Sequence, residues 1–405
     1  MSKHILLIAD GRSAITTRWI DLLNFLGYRI SLVSTYPVNS EIKVDKLFVL
    51  PVAFSDAGEE KNKNSLNKKS QQPTTNWKKK LIQNARPLMM RIRYLLGPST
   101  LPNYQHQLTT IISEIKPNLV HALRIPYEGM LASTIPLEIP LLVSIWGNDF
   151  TLHADANRTM HDLTKKVMHR ADGVLADVHR DIQLAHKWGL DENKPTVVVP
   201  GGGGILFEEI ELSKQINIGE IEIPSNVPVI INPRGIRAYA RSDIFFKSIP
   251  LVLQNLTDAI FLCPGMQGKP EAQKWIDHLK ISDHVRLLPN LPQEVLWSLF
   301  HKSHISVSIT THDGTPNTLL ESMACGCFPI AGDINSLREW ITPGINGFLI
   351  EPGNPQDLAD AIIAATQNAG LRKKAAIFNG NLIKAKAEVG IVRNQVARFY
   401  EKFLQ

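Results

Sequence analysis

The sequence predicts an α/β protein built from two doubly wound, Rossmann-like domains with parallel sheets. Two patterns carry this expectation. Short apolar, β-branched runs alternate with longer amphipathic segments along nearly the whole chain, as buried parallel strands alternate with helices on both faces of a sheet. The runs also form two successive sets, each the length of one doubly wound domain. The first comprises His4–Ala9, Arg29–Ser34, Leu119–Ala122, Leu141–Ile145, Gly173–Ala176 and Thr196–Val199. The second comprises Pro228–Ile231, Ala259–Cys263, Val285–Leu287, Ile305–Ile309, Phe328–Ala331 and Gly347–Ile350. A chain of 405 residues is long enough to bury two such cores. Between the sets stands Pro200-Gly201-Gly202-Gly203-Gly204. Four consecutive glycines are costly inside a helix or strand, so they mark a turn or hinge. No Lys and Ser/Thr follow them, which excludes a P-loop. The first domain is therefore expected over residues 1–203 and the second over 204–385.

Composition narrows the class further. Hydrophobic residues make up 44% of the chain and charged residues 20%, ordinary values for a soluble globular protein. The three cysteines, Cys263, Cys325 and Cys327, show neither disulfide nor zinc spacing, so a reducing, cytoplasmic setting and no bound metal are expected. Lys3 to Gly11 reads as a strand running into a loop rather than a signal peptide, and no apolar run is long enough to cross a bilayer.

The net charge of +6 is local. From Ser55 to Leu95 there are ten Lys or Arg against three acids, so the rest of the chain is close to neutral. Residues 55–76, rich in Glu, Lys, Asn, Ser and Gln, cannot bury enough apolar surface to order themselves and read as a loop. Residues 77–96 then interleave cations with bulky apolar side chains, as on helices lying in a bilayer interface. The basic insertion at about 55–96 is thus a candidate for contact with an anionic membrane surface, at the inner face of the membrane, against the plainer reading of a docked surface helix. No nucleic-acid module accompanies the charge, so nucleic acid is not an expected partner.

The most informative segment runs from His312 to Gly326. Thr315 suits an N-cap, Pro316 the first helical position, and Gly326 the left-handed stop after Cys325. Free N–H groups at such a start, with the positive end of the helix dipole, attract phosphate. Asn317 and Glu321 lie one turn apart on the same face, and a carboxylate there is placed to accept hydrogen bonds from ribose hydroxyls. Periodicity alone is equally compatible with an amphipathic helix behind a polar loop.

The same segment resembles the signature of the retaining glycosyltransferases of family 4 (glycosyl transferases group 1). That signature is two acids separated by seven residues, running into a Glu-Ala-Met-Ala-Cys-Gly-like helix. Here it reads Asp313-Gly314-Thr315-Pro316-Asn317-Thr318-Leu319-Leu320-Glu321 and then Ser322-Met323-Ala324-Cys325-Gly326. Flanking blocks at Val285–Pro289, Gly344–Ile350 and Asp357–Ile362 also match, so residues 228–370 are well covered. In the first half the likeness rests on Lys116–Ala122 and Ser144–Phe150. The resemblance implies a GT-B fold, in which two Rossmann-like domains face a central cleft and a final helix, 386–405, packs back on the first domain.

It also implies a reaction: transfer of a sugar from a UDP- or GDP-sugar donor to the hydroxyl of a glycan, a lipid-linked or a small-molecule acceptor. Retention at the anomeric carbon, no metal or other cofactor, and a place in polysaccharide biosynthesis come with it. Arg234 matches the family's diphosphate-binding Arg, and Arg241, with Arg237 as the alternative, takes the place of its Lys. Gly314, Thr315, Pro316, Asn317, Thr318 and Leu319 would line the donor, Glu321 hold the ribose, and Asp313 a sugar hydroxyl. Asp313, Glu321, Arg234 and His121 are the expected catalytic group. Gly11, Arg12, Ser13, Trp146, Asn148 and Asp149 would face the acceptor. The chain departs from the pattern twice: Asp313 is one methylene shorter than the usual Glu, and Trp146 replaces a His that can accept a proton. A nucleotide-sugar 2-epimerase of the same fold, or a non-catalytic transferase-like partner, are the alternative readings.

Overall fold

Apolar runs of the two sets become parallel strands in two separate sheets. The computed structural model describes residues 2–38, 42–55, 86–219, 221–224 and 226–404. The loop expected from residue 56 to 76 and the basic stretch 77–85 lie outside the described residues. The first sheet contains β1 (His4–Ala9), β2 (Arg29–Ser34), β3 (Lys46–Val49), β4 (Leu119–Ala122), β5 (Leu141–Ile145), β6 (Gly173–Ala176) and β7 (Thr196–Val198). Their spatial order is β3-β2-β1-β4-β5-β6-β7, and each neighbouring pair is parallel. The second sheet contains β8 (Val229–Ile231), β9 (Ile260–Cys263), β10 (Val285–Leu287), β11 (Ile305–Ser308), β12 (Phe328–Gly332) and β13 (Phe348–Ile350), ordered β10-β9-β8-β11-β12-β13.

β3 is absent from the expected strands. It is the edge of its sheet, and three of its four residues are exposed, so it lacks the buried apolar character of the central strands. β1 shows the opposite case: all six of its residues are buried, as a strand covered on both faces requires. Leu6 and Ile8 join one face of the core with Val120, Val143 and Val174. In the second unit Phe261 and Phe328 of the sheet, with Phe245 and Phe300 of helices, are among the largest wholly buried side chains.

The chain divides into two compact units. One comprises residues 1–177, 181–198 and 395–405, the other 178–180 and 199–394. The terminal helix Val389–Glu401 thus changes unit along its own length. Within the first unit, Tyr400 from that helix is fully buried and accepts a hydrogen bond from Trp19 Nε1 at 3.1 Å. Within the second, the glycine run is used for close approach. A Cβ on Gly204 would stand 2.7 Å from Val389 Cα, and one on Gly202 2.6 Å from the Asn317 amide.

Both sheets reverse their strand order once, between β1 and β4 in the first and between β8 and β11 in the second. At such a switch point the connections leave on opposite faces and open a crevice beyond the carboxyl ends of the strands. The polar residues of interest cluster at these two points.

Candidate functional site

In the second unit β8 runs directly into Asn232-Pro233-Arg234, and β11 into the loop that carries Asp313. Arg234 is buried, and its backbone N–H donates to Asn232 Oδ1 at 3.1 Å, which fixes the turn after the strand. Its guanidinium makes a short ion pair with Asp313 through Nη2 and approaches Thr318 Oγ1 at 3.5 Å through Nη1. The Nε atom has no hydrogen-bond partner among the described residues. A forked cation with part of its donor set unused is the arrangement that grips an oxyanion.

Asp313 is held from its own side as well. Its Oδ1 accepts from Gly314 N at 3.1 Å, and its carbonyl accepts from Ser336 Oγ at 2.7 Å. The following helix spans Asn317–Ala324, one residue later than the sequence suggests, with Pro316 as its N-cap. Thr315 does not serve as the cap; its Oγ1 accepts from Trp340 Nε1 at 2.9 Å, deep in the unit. Gly326, at φ +90°, ends the turn after Cys325 as expected. Glu321 is buried, and its Oε1 accepts from Gln293 Nε2 at 2.8 Å. Leu319 is wholly buried in the apolar core of the unit, so the donor role expected of it is restricted to its main chain.

The structure therefore brings Arg234, Asp313 and Thr318 together, with Glu321 one turn further along the helix. It does not bring Arg241 to them. Arg241 is in the left-handed region, at φ 42°, and grips Asp243 with two bonds, of 3.0 and 3.1 Å. This hydrogen bonding holds the Asp243 carboxyl below its ordinary range. Arg237 is exposed and donates to Tyr239 Oη at 3.2 Å.

In the first unit, Gly11, Arg12 and Ser13 form the turn between β1 and the helix Ala14–Phe25, which Ser13 caps through Ile15 N. A Cβ on Gly11 would meet Ser34 Oγ at 2.8 Å, so the tight turn requires glycine. Arg12 pairs with Asp10 at 3.0 Å and lies 3.7 Å above the Tyr36 ring. Asp149 is buried and accepts from Arg124 Nη2 at 2.7 Å, Ile125 N at 3.0 Å and Trp146 N at 3.1 Å. Three donors make it the anchor of the loop after β5. Asn148 stands beside it, 3.5 Å from Arg124 Nη2, and the Arg124 guanidinium lies 4.7 Å from the centre of the Trp146 ring.

His121 is the expected catalytic residue that the structure places elsewhere. It has 0% exposure in the middle of β4, and its ring bonds Ser144 Oγ at 2.9 Å and the Tyr400 hydroxyl. Burial holds its ring at a pKa of about 3, so it is neutral and enclosed in the core of the unit. Sequence reasoning also missed Asn232, Gln293, Ser336 and Trp340, which support the cluster in the second unit. Their only signal was a polar or amphipathic residue at the edge of an apolar run, which is too common to single them out.

Comparison with known proteins now bears on this geometry. Residues 213–379, which contain the whole cluster of the second unit, match the family described as glycosyl transferases group 1. The D-inositol 3-phosphate glycosyltransferase of Streptosporangium roseum is 24% identical over 206 residues, 48% of this chain and 47% of that protein. The chain spans about half the length of the curated relatives it matches. Among solved structures, a glycosyltransferase from Rickettsia africae superposes with a TM-score of 0.69 at 17% identity, over 100% of this chain and 99% of the other. The Anabaena protein HepE in complex with UDP does so with a TM-score of 0.68 at 14% identity, over 99% of this chain and 100% of the other. Residues 213–379 thus resemble the glycosyl transferases group 1 family, and the two parallel, Rossmann-like sheets share the GT-B fold of the solved glycosyltransferase structures.

Proposed function

We propose that this chain is a glycosyltransferase that moves a sugar from a nucleoside-diphosphate donor to an acceptor hydroxyl, with retention at the anomeric carbon and without a metal requirement. The observation that carries the reading is the buried Arg234, held by Asp313 and Thr318 at the switch point of the matched domain. The diphosphate takes the open side of the Arg234 fork and the N–H groups of the Thr315–Thr318 turn. Arg241, released from Asp243, adds a second positive charge. Glu321, already oriented by Gln293, accepts hydrogen bonds from the ribose hydroxyls, and Asp313 accepts one from the sugar.

As the bond from the anomeric carbon to the phosphate oxygen breaks, negative charge grows on the diphosphate, where these prearranged groups stabilise it. The acceptor oxygen bonds to the same face of that carbon, and its proton passes to the leaving phosphate. No second carboxylate is needed as a nucleophile. Gly11, Arg12, Ser13, Trp146, Asn148 and Asp149 of the first unit serve the acceptor. The UDP bound by HepE makes UDP the first nucleotide to try.

Titration of the full chain with UDP and GDP tests the reading. One of them binds, Arg234→Ala abolishes that binding, and transfer persists in excess chelator. Failure of both nucleotides to bind, or binding indifferent to Arg234→Ala, overturns it. Conversion of a nucleotide sugar with no acceptor present would point to epimerisation instead.

A further inference from the structure

The helix Ala369–Ala387 of the second unit carries five cations and no acid: Arg372, Lys373, Lys374, Lys384 and Lys386. Its inner face is an ordinary one, with Ala375, Asn379, Ile383 and Ala387 buried at four-residue spacing. Its outward stripe reads Lys373, Lys374, Ile377, Phe378, Asn381 and Lys384, again at the spacing of one helix face. A solvated face is normally polar. Here Ile377 is 70% exposed and Phe378 45%.

A loop adds a third apolar side chain to this face. Residues 342–345, before β13, are all exposed, and Ile345 at their end is 52% exposed. The loop is anchored from beneath. Asn346, wholly buried, accepts from Thr342 N at 2.7 Å and donates to the Trp340 carbonyl at 2.9 Å and to Asn379 Oδ1 at 2.8 Å. Asn379 donates back to the Asn346 carbonyl at 2.9 Å. This buried amide pair fastens the loop to the helix, so that Ile345, Leu371, Lys374 and Phe378 line one shallow recess. A satisfied polar network thus holds apolar side chains out in solvent, where by themselves they stabilise nothing.

Two of the cations are available to a partner. The ion-paired lysines among the described residues are Lys46, Lys194 and Lys214, and no acid lines the recess beside Lys374. Lys384 is set apart, because Glu208 and Glu211 share a hollow with it further along the helix. Arg372 is folded back, its Nη1 donating to the Ala365 carbonyl at 2.6 Å. The patch therefore offers three apolar side chains with Lys373 and Lys374 beside them. A second copy of the same face would set lysine against lysine. The apolar groups stand out from a helix ridge and a loop tip, instead of lining a deep groove that would receive a peptide helix. An anionic bilayer matches both features, taking apolar side chains at its acyl boundary and cations among its headgroups.

We infer that this face of the second unit docks on an anionic membrane surface. Ile345, Ile377 and Phe378 enter the interface, and Lys373 and Lys374 meet lipid phosphates. The surface is distinct from the basic stretch expected at 77–96, and the inference does not rest on the transferase reading.

Flotation of the full chain with vesicles tests it, comparing phosphatidylcholine alone with an equimolar mixture of phosphatidylcholine and phosphatidylglycerol. Binding to the mixed vesicles is stronger by about tenfold or more and weakens as salt is raised to about 0.5 M. Lys373→Gln combined with Lys374→Gln lowers it by about tenfold. Ile377→Gln combined with Phe378→Gln does so by a similar factor, and both pairs leave the melting temperature unchanged because the side chains are exposed. Lys165→Gln with Lys166→Gln removes the same charge from exposed positions of the first unit and changes binding by less than about threefold. Absence of binding to either vesicle overturns the proposal. So does an equal loss in the Lys165 and Lys166 control, which would mean diffuse charge. Binding indifferent to the Ile377 and Phe378 changes would move the contact to another surface. Self-association of the free protein that those changes abolish would assign the face to a second copy, and equally tight binding of polyglutamate would assign it to an acidic protein.

Discussion

The two switch points are built on the same plan and finished differently. In the second unit the polar groups are tied to one another: Arg234 to Asp313 and Thr318, Glu321 to Gln293, and Thr315 to Trp340. In the first, Glu128 Oε2 and the Nε atoms of Arg93 and Arg124 are buried with no partner among the described residues, whereas in the second cluster only the Arg234 Nε is left so. A network whose members hold one another is rigid and presents a fixed charge pattern, as the proposed stabilisation of a leaving diphosphate requires. An unsatisfied one is completed by its ligand and selects strongly for the missing donor or acceptor. The same topology thus carries a linked ion-pair cluster in one unit and several buried, unpartnered polar atoms in the other.

The largest expected effect concerns the core beneath the first switch point. His121 is neutral because burial lowers its ring to about 3, against roughly 6.5 in an unfolded chain. The unfolded state therefore takes up the proton first as pH falls. Its stabilising contribution is complete above about pH 6.5 and is lost progressively down to about pH 3, on the order of 3–5 kcal/mol in total. Urea unfolding across that range should show a loss that shrinks in His121→Gln. A parallel decline in both proteins would mean that His121 does not govern acid stability.

Next comes the clamp itself. Arg234→Ala leaves Asp313 without its cation and should weaken nucleotide binding by about two orders of magnitude. Calorimetric titration measures it, and a change of less than about threefold would show that the cluster is a structural ion pair. Glu321→Gln keeps a partner for Gln293 and alters only the charge offered to the ribose. About a tenfold loss is expected for UDP, with little loss for its 2′-deoxy analogue if that hydroxyl is the one held. An equal loss for both would move the carboxylate away from that hydroxyl.

The smallest effect sharpens the contrast from the other side. Trp146→Leu removes the ring beneath Arg124 but leaves the Asp149 pair intact. It should lower stability by about 0.5–1 kcal/mol without changing UDP binding. A matching loss of UDP affinity would mean that the two sites cannot be assigned separately.

What could be read from the sequence followed the range over which each feature is encoded. Asp313 and Glu321 belong to one unbroken segment, a short loop running into the helix Asn317–Ala324, so their neighbourhood was legible. Arg234 was legible because it directly follows a strand that ends at the switch point. Arg93, Arg124 and Glu128 come from a surface helix and from the loop after β4, and nothing local relates them. His121 misled for a related reason: a histidine at the end of an apolar run looks the same whether it faces a crevice or a core.

The sequence by itself determined the class of fold, the two sets of buried strands and the phosphate-ready helix start. These follow from hydrophobic periodicity, capping chemistry and glycine geometry, all of which act over a few residues. Only the tertiary structure decided which polar groups are satisfied and which are left open. That outcome depends on side chains brought together from distant segments, such as Tyr400 against His121 and Gln293 against Glu321. A buried hydrogen bond is made or missed according to the packing of the whole unit, and no local pattern records which.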